Sequence, residues 1–106
     1  MRETEYYVYI LASKRHGTLY IGVTNNIEMR IRQHRDGVVG SFVKKHSVYM
    51  LVYYESFTCI EDAILREKQM KKWNRDWKIC LIEEMNPWWD DLSSLWLGNG
   101  SPPARG

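Results

Sequence analysis

Apolar and polar positions change their period several times along the chain, and the changes mark six elements. Residues 6–12, YYVYILA, and 18–24, TLYIGVT, are short runs rich in Tyr, Val and Ile, joined by KRHG with its glycine turn signal. They predict a β-hairpin. Neither run alternates cleanly, so at least one strand is expected to be covered on both faces. Asn25 followed by Glu28 has capping-box spacing, and IEMRIRQHRD, closed by Gly37, predicts a helix of about ten residues. Residues 37–47 carry two glycines and predict a loop. Residues 48–54, VYMLVYY, form the strongest strand pattern, and residues 60–74 predict a helix. A last helix over about 75–84 stops before Asn86-Pro87, because the residue before a proline disfavours helical geometry. No internal repeat is visible. The order β-β-α-β-α-α predicts an α+β fold, a small three-stranded mixed or antiparallel sheet flanked by helices in αβα layers.

Turning the helices at about 100° per residue shows where this pattern breaks. On the first helix Ile27 and Ile31 mark the inward stripe, and Arg30 and His34 fall within about 60° of it, one turn apart. On the second, the stripe Ile60, Ala63, Ile64, Met70 has Glu67 near its middle and Lys71 one turn on. A carboxylate there is costly unless it is paired or holds a cation. Such breaks are expected at functional sites, which makes Arg30, His34 and Glu67 candidates for chemistry. The structural reading stays open beside that one: Arg30 and Glu67 as a buried ion pair, His34 as a satisfied core histidine. Tyr9 and Tyr20 are expected to face each other across the hairpin. Each of the seven tyrosines has packing as its default role. Gly22, inside a strand, signals a bulge or close backbone approach, and so the edge of a site.

Composition bounds the reading. The 106 residues are 44% hydrophobic and 26% charged, enough for one domain and its core. Cys59 and Cys80 lie 21 residues apart without CxxC or a histidine-rich partner, so two free, mostly buried thiols are expected and neither a disulfide nor a zinc site. No apolar run reaches the roughly 18 residues of a membrane span, and the N-terminus lacks a signal-peptide pattern, which predicts a cytoplasmic protein without a membrane partner. The final residues, with three glycines and two prolines, predict a flexible tail over 94–106 behind a domain over 1–93. The formal charge is only +2, but it is unevenly spread. Between positions 14 and 45 seven Lys or Arg stand against Glu28 and Asp36, and between 66 and 78 six stand against Glu67 and Asp76. If folding joins these stretches they suit a polyanion; otherwise they are two solvated helix faces.

Tyr7-Val8-Tyr9, then Tyr20-Ile21-Gly22 after ten intervening residues, then Arg30 and Glu67, form an ordered set. It resembles the GIY-YIG endonucleases, whose Gly-Ile-Tyr, Tyr-Ile-Gly, arginine and glutamate fall in this order. His34 stands where members carry His or Tyr. TNNIEMRIRQH, REKQMKKW and NPWWDDL look most like the small stand-alone bacterial members, and the resemblance covers about residues 5–92. Tyr7 in place of Gly, and Val23 where some members have lysine, depart from the pattern.

The resemblance implies a nuclease domain that hydrolyses DNA phosphodiester bonds with one divalent ion, Mg²⁺ or Mn²⁺, held by Glu67. Arg30 would contact the scissile phosphate. Tyr20 would be the general base, Tyr9 would orient the water, and His34 would relay a proton or touch phosphate. Lys14, Arg15, Arg32, Arg35, Lys44, Lys45, Lys68, Lys71 and Lys72 would grip the backbone. A chain this short leaves selectivity for DNA structure, in repair or recombination, to loops, basic stretches or a protein partner. The competing expectations are a nucleic-acid-binding module with the same fold and little or no turnover, and an adaptor using the Trp-rich segment around Trp88 and Trp89.

Overall fold

The computed structural model describes residues 5–35 and 48–94. The elements run β1 (Tyr6–Ala12), β2 (Leu19–Thr24), α1 (Ile27–Arg35), β3 (Met50–Phe57), α2 (Ile60–Lys72) and α3 (Arg75–Met85). The three strands form one antiparallel sheet in the order β2-β1-β3. This is the expected α+β order.

Side chains alternate across β1, and both of its faces are covered. Tyr9 and Leu11 point to one side, where Ile27 and Ile31 of α1 pack with Val48 and Leu51. Val8, Ile10 and Ala12 point to the other, against Ala63 and Met70 of α2 and Ile82 of α3. Full burial of each such aliphatic side chain contributes roughly 1.5–3 kcal/mol, so the central strand anchors both layers. The run of residues 8–12 is apolar without alternation because every one of its side chains is buried.

β3 begins two residues later than its sequence pattern suggests and runs on to Phe57. Its pairing with β1 slips between Ile10 and Leu11, which face Tyr53 and Leu51 respectively. The slip leaves Val52 as the extra residue of a bulge, and Val52 and Tyr53 join the same core layer.

Between β1 and β2 the chain turns through residues 13–18. The Ser13 and Thr18 backbones bond at 3.0 Å, and the Ser13 hydroxyl accepts from the Thr18 N–H at 3.0 Å. His16 takes the left-handed conformation at φ 59°. Arg75, at the start of α3, donates to the carbonyls of His16 and Gly17 at 2.5 and 2.7 Å. Glu83 accepts from Trp89 Nε1 at 2.8 Å and meets His16 Nε2 at 3.0 Å, and its hydrogen bonds to both hold the carboxyl below its ordinary range. The turn carrying Lys14 and Arg15 is thereby tied to α3, so members of the two basic stretches meet there.

The cap of α1 is Asn26 rather than Asn25. The Thr24 hydroxyl accepts from the Asn26 N–H at 3.1 Å and turns the chain sharply as it leaves the sheet. Asn26 Oδ1 then accepts from the Met29 N–H at 3.1 Å, and its carbonyl accepts the first helical bond, from Arg30. Both cysteines are free as expected, but Cys59 is only half-buried and Cys80 is exposed. The expected loop over 37–47 and all but the first residue of the tail lie outside the described residues. Among the described residues, no helix is long and apolar enough to cross a membrane.

Candidate active site

Tyr9 is the centre of the site and is 1% exposed. Its cross-strand partner is Gly22, not Tyr20. Six residues form the turn, two more than the KRHG link, so Tyr20 faces Leu11 and stands diagonal to Tyr9 on the same face of the sheet. The two rings lie 6.5 Å apart with planes at 42°. Gly22 is what admits the phenol: a Cβ there would stand 2.5 Å from Tyr9 Oη and 2.7 Å from Cζ. The Tyr9 side chain therefore crosses β2 over the glycine.

Arg30, half-buried on α1, donates a hydrogen bond to the Tyr9 hydroxyl. Burial pushes the Tyr9 phenol up to about 12, with Tyr20 adding to the rise and Arg30 opposing it. Glu67 acts on the same phenol from α2 and raises it further. Tyr9, Tyr20, Arg30 and Glu67, separated by as many as 58 positions, thus converge on one hydroxyl.

Glu67 is mostly covered, its side chain 16% exposed, and its carboxylate meets Lys71 Nζ at 2.9 Å. The pairing resolves the cost of a carboxylate in an apolar stripe. The stripe itself is narrower than its spacing suggests, since Ala63 and Met70 are fully buried while Ile60 is exposed.

Among the described residues there is no group of three or more His, Cys, Asp or Glu to hold a metal. A single carboxylate does not suit zinc, which takes three or four protein ligands. It does suit Mg²⁺ or Mn²⁺, bound through one carboxylate with water and substrate phosphate filling the remaining positions. The donor set therefore fits one hard divalent ion at Glu67.

The other sequence candidates are spread around this centre. Lys14 and Arg15 are exposed on the β1–β2 turn, and Arg32 is exposed on α1, paired with Glu28 at 3.1 Å. Lys68, Lys71 and Lys72 are exposed on α2, with Lys71 drawn into the site by Glu67. His34 and Arg35 lie on the last turn of α1, and their side chains, like Lys44 and Lys45, are outside the described residues. Lys78 was not singled out by the pattern, yet it lines a groove next to Tyr20. Its signal was faint: it only closes the second basic stretch, on a helix where no polar residue interrupts an obvious stripe. Val23, where some relatives of this motif set carry lysine, packs half-buried against the core layer under α2.

Comparison with known proteins places the chain in a family. A family model described as the GIY-YIG catalytic domain matches residues 5–80. A UPF0213 protein of Staphylococcus haemolyticus is 38% identical over 80 residues, which cover 76% of this chain and 96% of that protein. A UPF0213 protein of Clostridium perfringens is 41% identical over 76 residues, covering 72% of this chain and 81% of the relative. The solution NMR structure of a UPF0213 protein from Bacillus halodurans aligns with a TM-score of 0.53 at 26% identity, over 86% of this chain and 96% of that one.

Proposed function

Because the chain belongs to the GIY-YIG family, and within it to the small UPF0213 proteins, we propose that it is a divalent-metal-dependent endonuclease that hydrolyses phosphodiester bonds in DNA. The observation that carries the reading is the convergence of two phenols, a guanidinium and a covered carboxylate on the hydroxyl lying over Gly22. Phosphodiester hydrolysis needs an activated water, donors for the extra negative charge at phosphorus and a route for the departing oxygen. Each requirement has a residue to meet it.

Glu67 is the carboxylate that would hold the ion, in place of its contact with Lys71. Bound there, a divalent ion supplies Lewis-acid stabilisation of the phosphate and the leaving 3′ oxygen. Arg30 presents its planar fork to the scissile phosphate from the position where it now donates to Tyr9. Tyr9, with its phenol pushed up to about 12, keeps its proton at neutral pH and orients the attacking water as a hydrogen-bond donor or acceptor. Tyr20, acting as or through its phenolate, would then take the proton of the attacking water as general base. His34, one turn beyond Arg30, relays a proton or contacts phosphate. Selectivity for DNA structure, and with it a task in cytoplasmic DNA repair or recombination, rests on the basic residues around the site or on a protein partner that delivers the substrate.

The test is cleavage of labelled branched, single-stranded and duplex DNA at low salt with Mg²⁺ or Mn²⁺. Wild type is expected to cut at least one substrate, and Glu67→Ala and Arg30→Ala to lose at least about 100-fold of that activity. Full activity in Glu67→Ala removes the metal role from Glu67. Salt-sensitive binding with no cutting by wild type identifies a binding module in place of an enzyme.

A further inference from the structure

A groove of about 290 Å³ opens beside the tyrosine cluster, lined by Leu19, Tyr20 and Ile21 of β2, Lys71 of α2 and Lys78 of α3. Tyr20 belongs both to this groove and to the site, so the two share a border at the edge strand. Leu19 contributes the accessible apolar surface, since Ile21 is 5% exposed, and the two lysines contribute the charge; among the described residues no carboxylate lines the groove.

The two lysines differ in what they already hold. Lys71 is occupied by Glu67 at 2.9 Å. Lys78 is half-buried, and among the described residues no carboxylate forms an ion pair with it. Its neighbours one helical turn away are Asn74, Arg75, Leu81 and Ile82, so its own helix offers no acid within reach. Its stem can lie along the groove while the ammonium stays open to an arriving anion. The core contacts of α3 are made by Ile82, with Ile79 and Leu81 packed against the same layer.

We propose that this groove receives the phosphodiester backbone of the substrate DNA strand next to the scissile phosphate, with Lys78 as its anchor. The inference rests on the nuclease reading above and adds a binding residue to it. Apolar surface of Leu19 lies against the sugars, while Lys71 and Lys78 face the phosphates. Lys71 joins the grip once Glu67 takes another partner, whereas Lys78 is available from the outset.

The test is fluorescence anisotropy of a fluorescein-labelled DNA in EDTA, where binding is read without cleavage, over a range of salt concentrations. Three proteins are compared: wild type, Lys78→Met, which keeps the apolar stem, and Lys78→Arg. Lys78→Met is expected to bind about 5- to 10-fold more weakly at low salt and to flatten the dependence of log K on log salt by about 0.9. Lys78→Arg is expected to retain wild-type binding, which separates a charge effect from a folding defect. On strands carrying one neutral methylphosphonate, wild type should lose affinity at a phosphate beside the cut, and Lys78→Met should be indifferent to that same substitution. Wild-type affinity and salt slope in Lys78→Met, with cleavage by wild type intact, overturn the groove and leave the nuclease reading standing. Absence of both binding and cutting by wild type overturns both.

Discussion

Tyr9 and Gly22 act as one unit, because the phenol occupies the space that any side chain at position 22 would need. Gly22→Ala is therefore expected to destabilise the protein by about 1–3 kcal/mol in urea denaturation, the usual cost of overpacking, and to displace the hydroxyl that Arg30 contacts. In a Gly22→Ala background, Tyr9→Phe should restore only part of the loss, because Cζ as well as Oη crowds the new methyl. The same burial has a consequence at alkaline pH. The folded Tyr9 phenol, at about 12, lies above its unfolded value of 10.0, so the folded state holds the proton more tightly. That contribution, about 2–3 kcal/mol, is complete below pH 10 and is lost as the pH rises towards 12. Tyr7 is raised to about 12, first by its hydrogen bond to Glu5, and Tyr53 is raised by burial, so both titrate in the same direction. Phenolate absorbance followed alongside circular dichroism should show unfolding begin above pH 10, with a shallower decline in Tyr9→Phe. Gly22 was legible as a point of close approach. Its partner was not, because the register is set by a six-residue turn whose closing bond uses the Ser13 hydroxyl, and that bond leaves no periodic trace.

At the scale of elements, α2 is joined to β3 by a polar bridge across the core layer. Glu55 accepts from Arg66 Nε at 2.9 Å and Nη2 at 2.8 Å and also from the Tyr53 hydroxyl, while the Arg66 guanidinium lies 5.1 Å from the Trp73 ring. Burial favours the neutral acid at Glu55, but Arg66 and Tyr53 outweigh it and hold the carboxyl below its ordinary range. A depressed carboxyl stabilises the fold above its ordinary pKa and ceases to do so as the pH falls through the folded value. Arg66→Met is thus expected to cost about 1–3 kcal/mol at neutral pH, and the gap between variant and wild type should narrow in denaturation curves measured at progressively acid pH. The order of all six elements could be read from hydrophobic period, because β1 is buried on both faces and the helices carry apolar stripes at helical spacing. Less visible were the α1 cap, which depends on a hydroxyl at the end of β2, and the bulge at Val52, which sends two consecutive apolar residues to one side. The candidate site was legible where a polar residue interrupted a stripe, as at Glu67 and Arg30. It was faint at Lys78, which only closes a basic stretch, because the groove it lines is formed with an adjoining strand rather than by the helix itself.

Over the whole molecule, the segment after α3 finishes the sheet. Asn86 is 4% exposed and donates to the carbonyls of Val52 and Asp90 at 3.1 and 2.9 Å, while its Oδ1 accepts from the Asp90 N–H at 3.0 Å. Farther on, the Leu92 N–H bonds to the Leu51 carbonyl at 2.7 Å, and Asp91 accepts from the Leu51 N–H at 3.2 Å. Asn86→Ala would leave buried polar groups without partners, at about 1–3 kcal/mol each. Faster hydrogen exchange at the Leu51 and Leu92 amides should reveal the loosened segment, with the Ile10 amide keeping its protection. The two borders of the sheet consequently meet their surroundings in opposite ways. Beside β3 the following segment occupies backbone positions that another strand would use. Beside β2 stand Lys71 and Lys78, and two copies brought together along that border would set like charges against each other. The border proposed for a polyanion would therefore also disfavour edge-to-edge pairing of two copies, through Lys78 above all, since Lys71 is already balanced by Glu67.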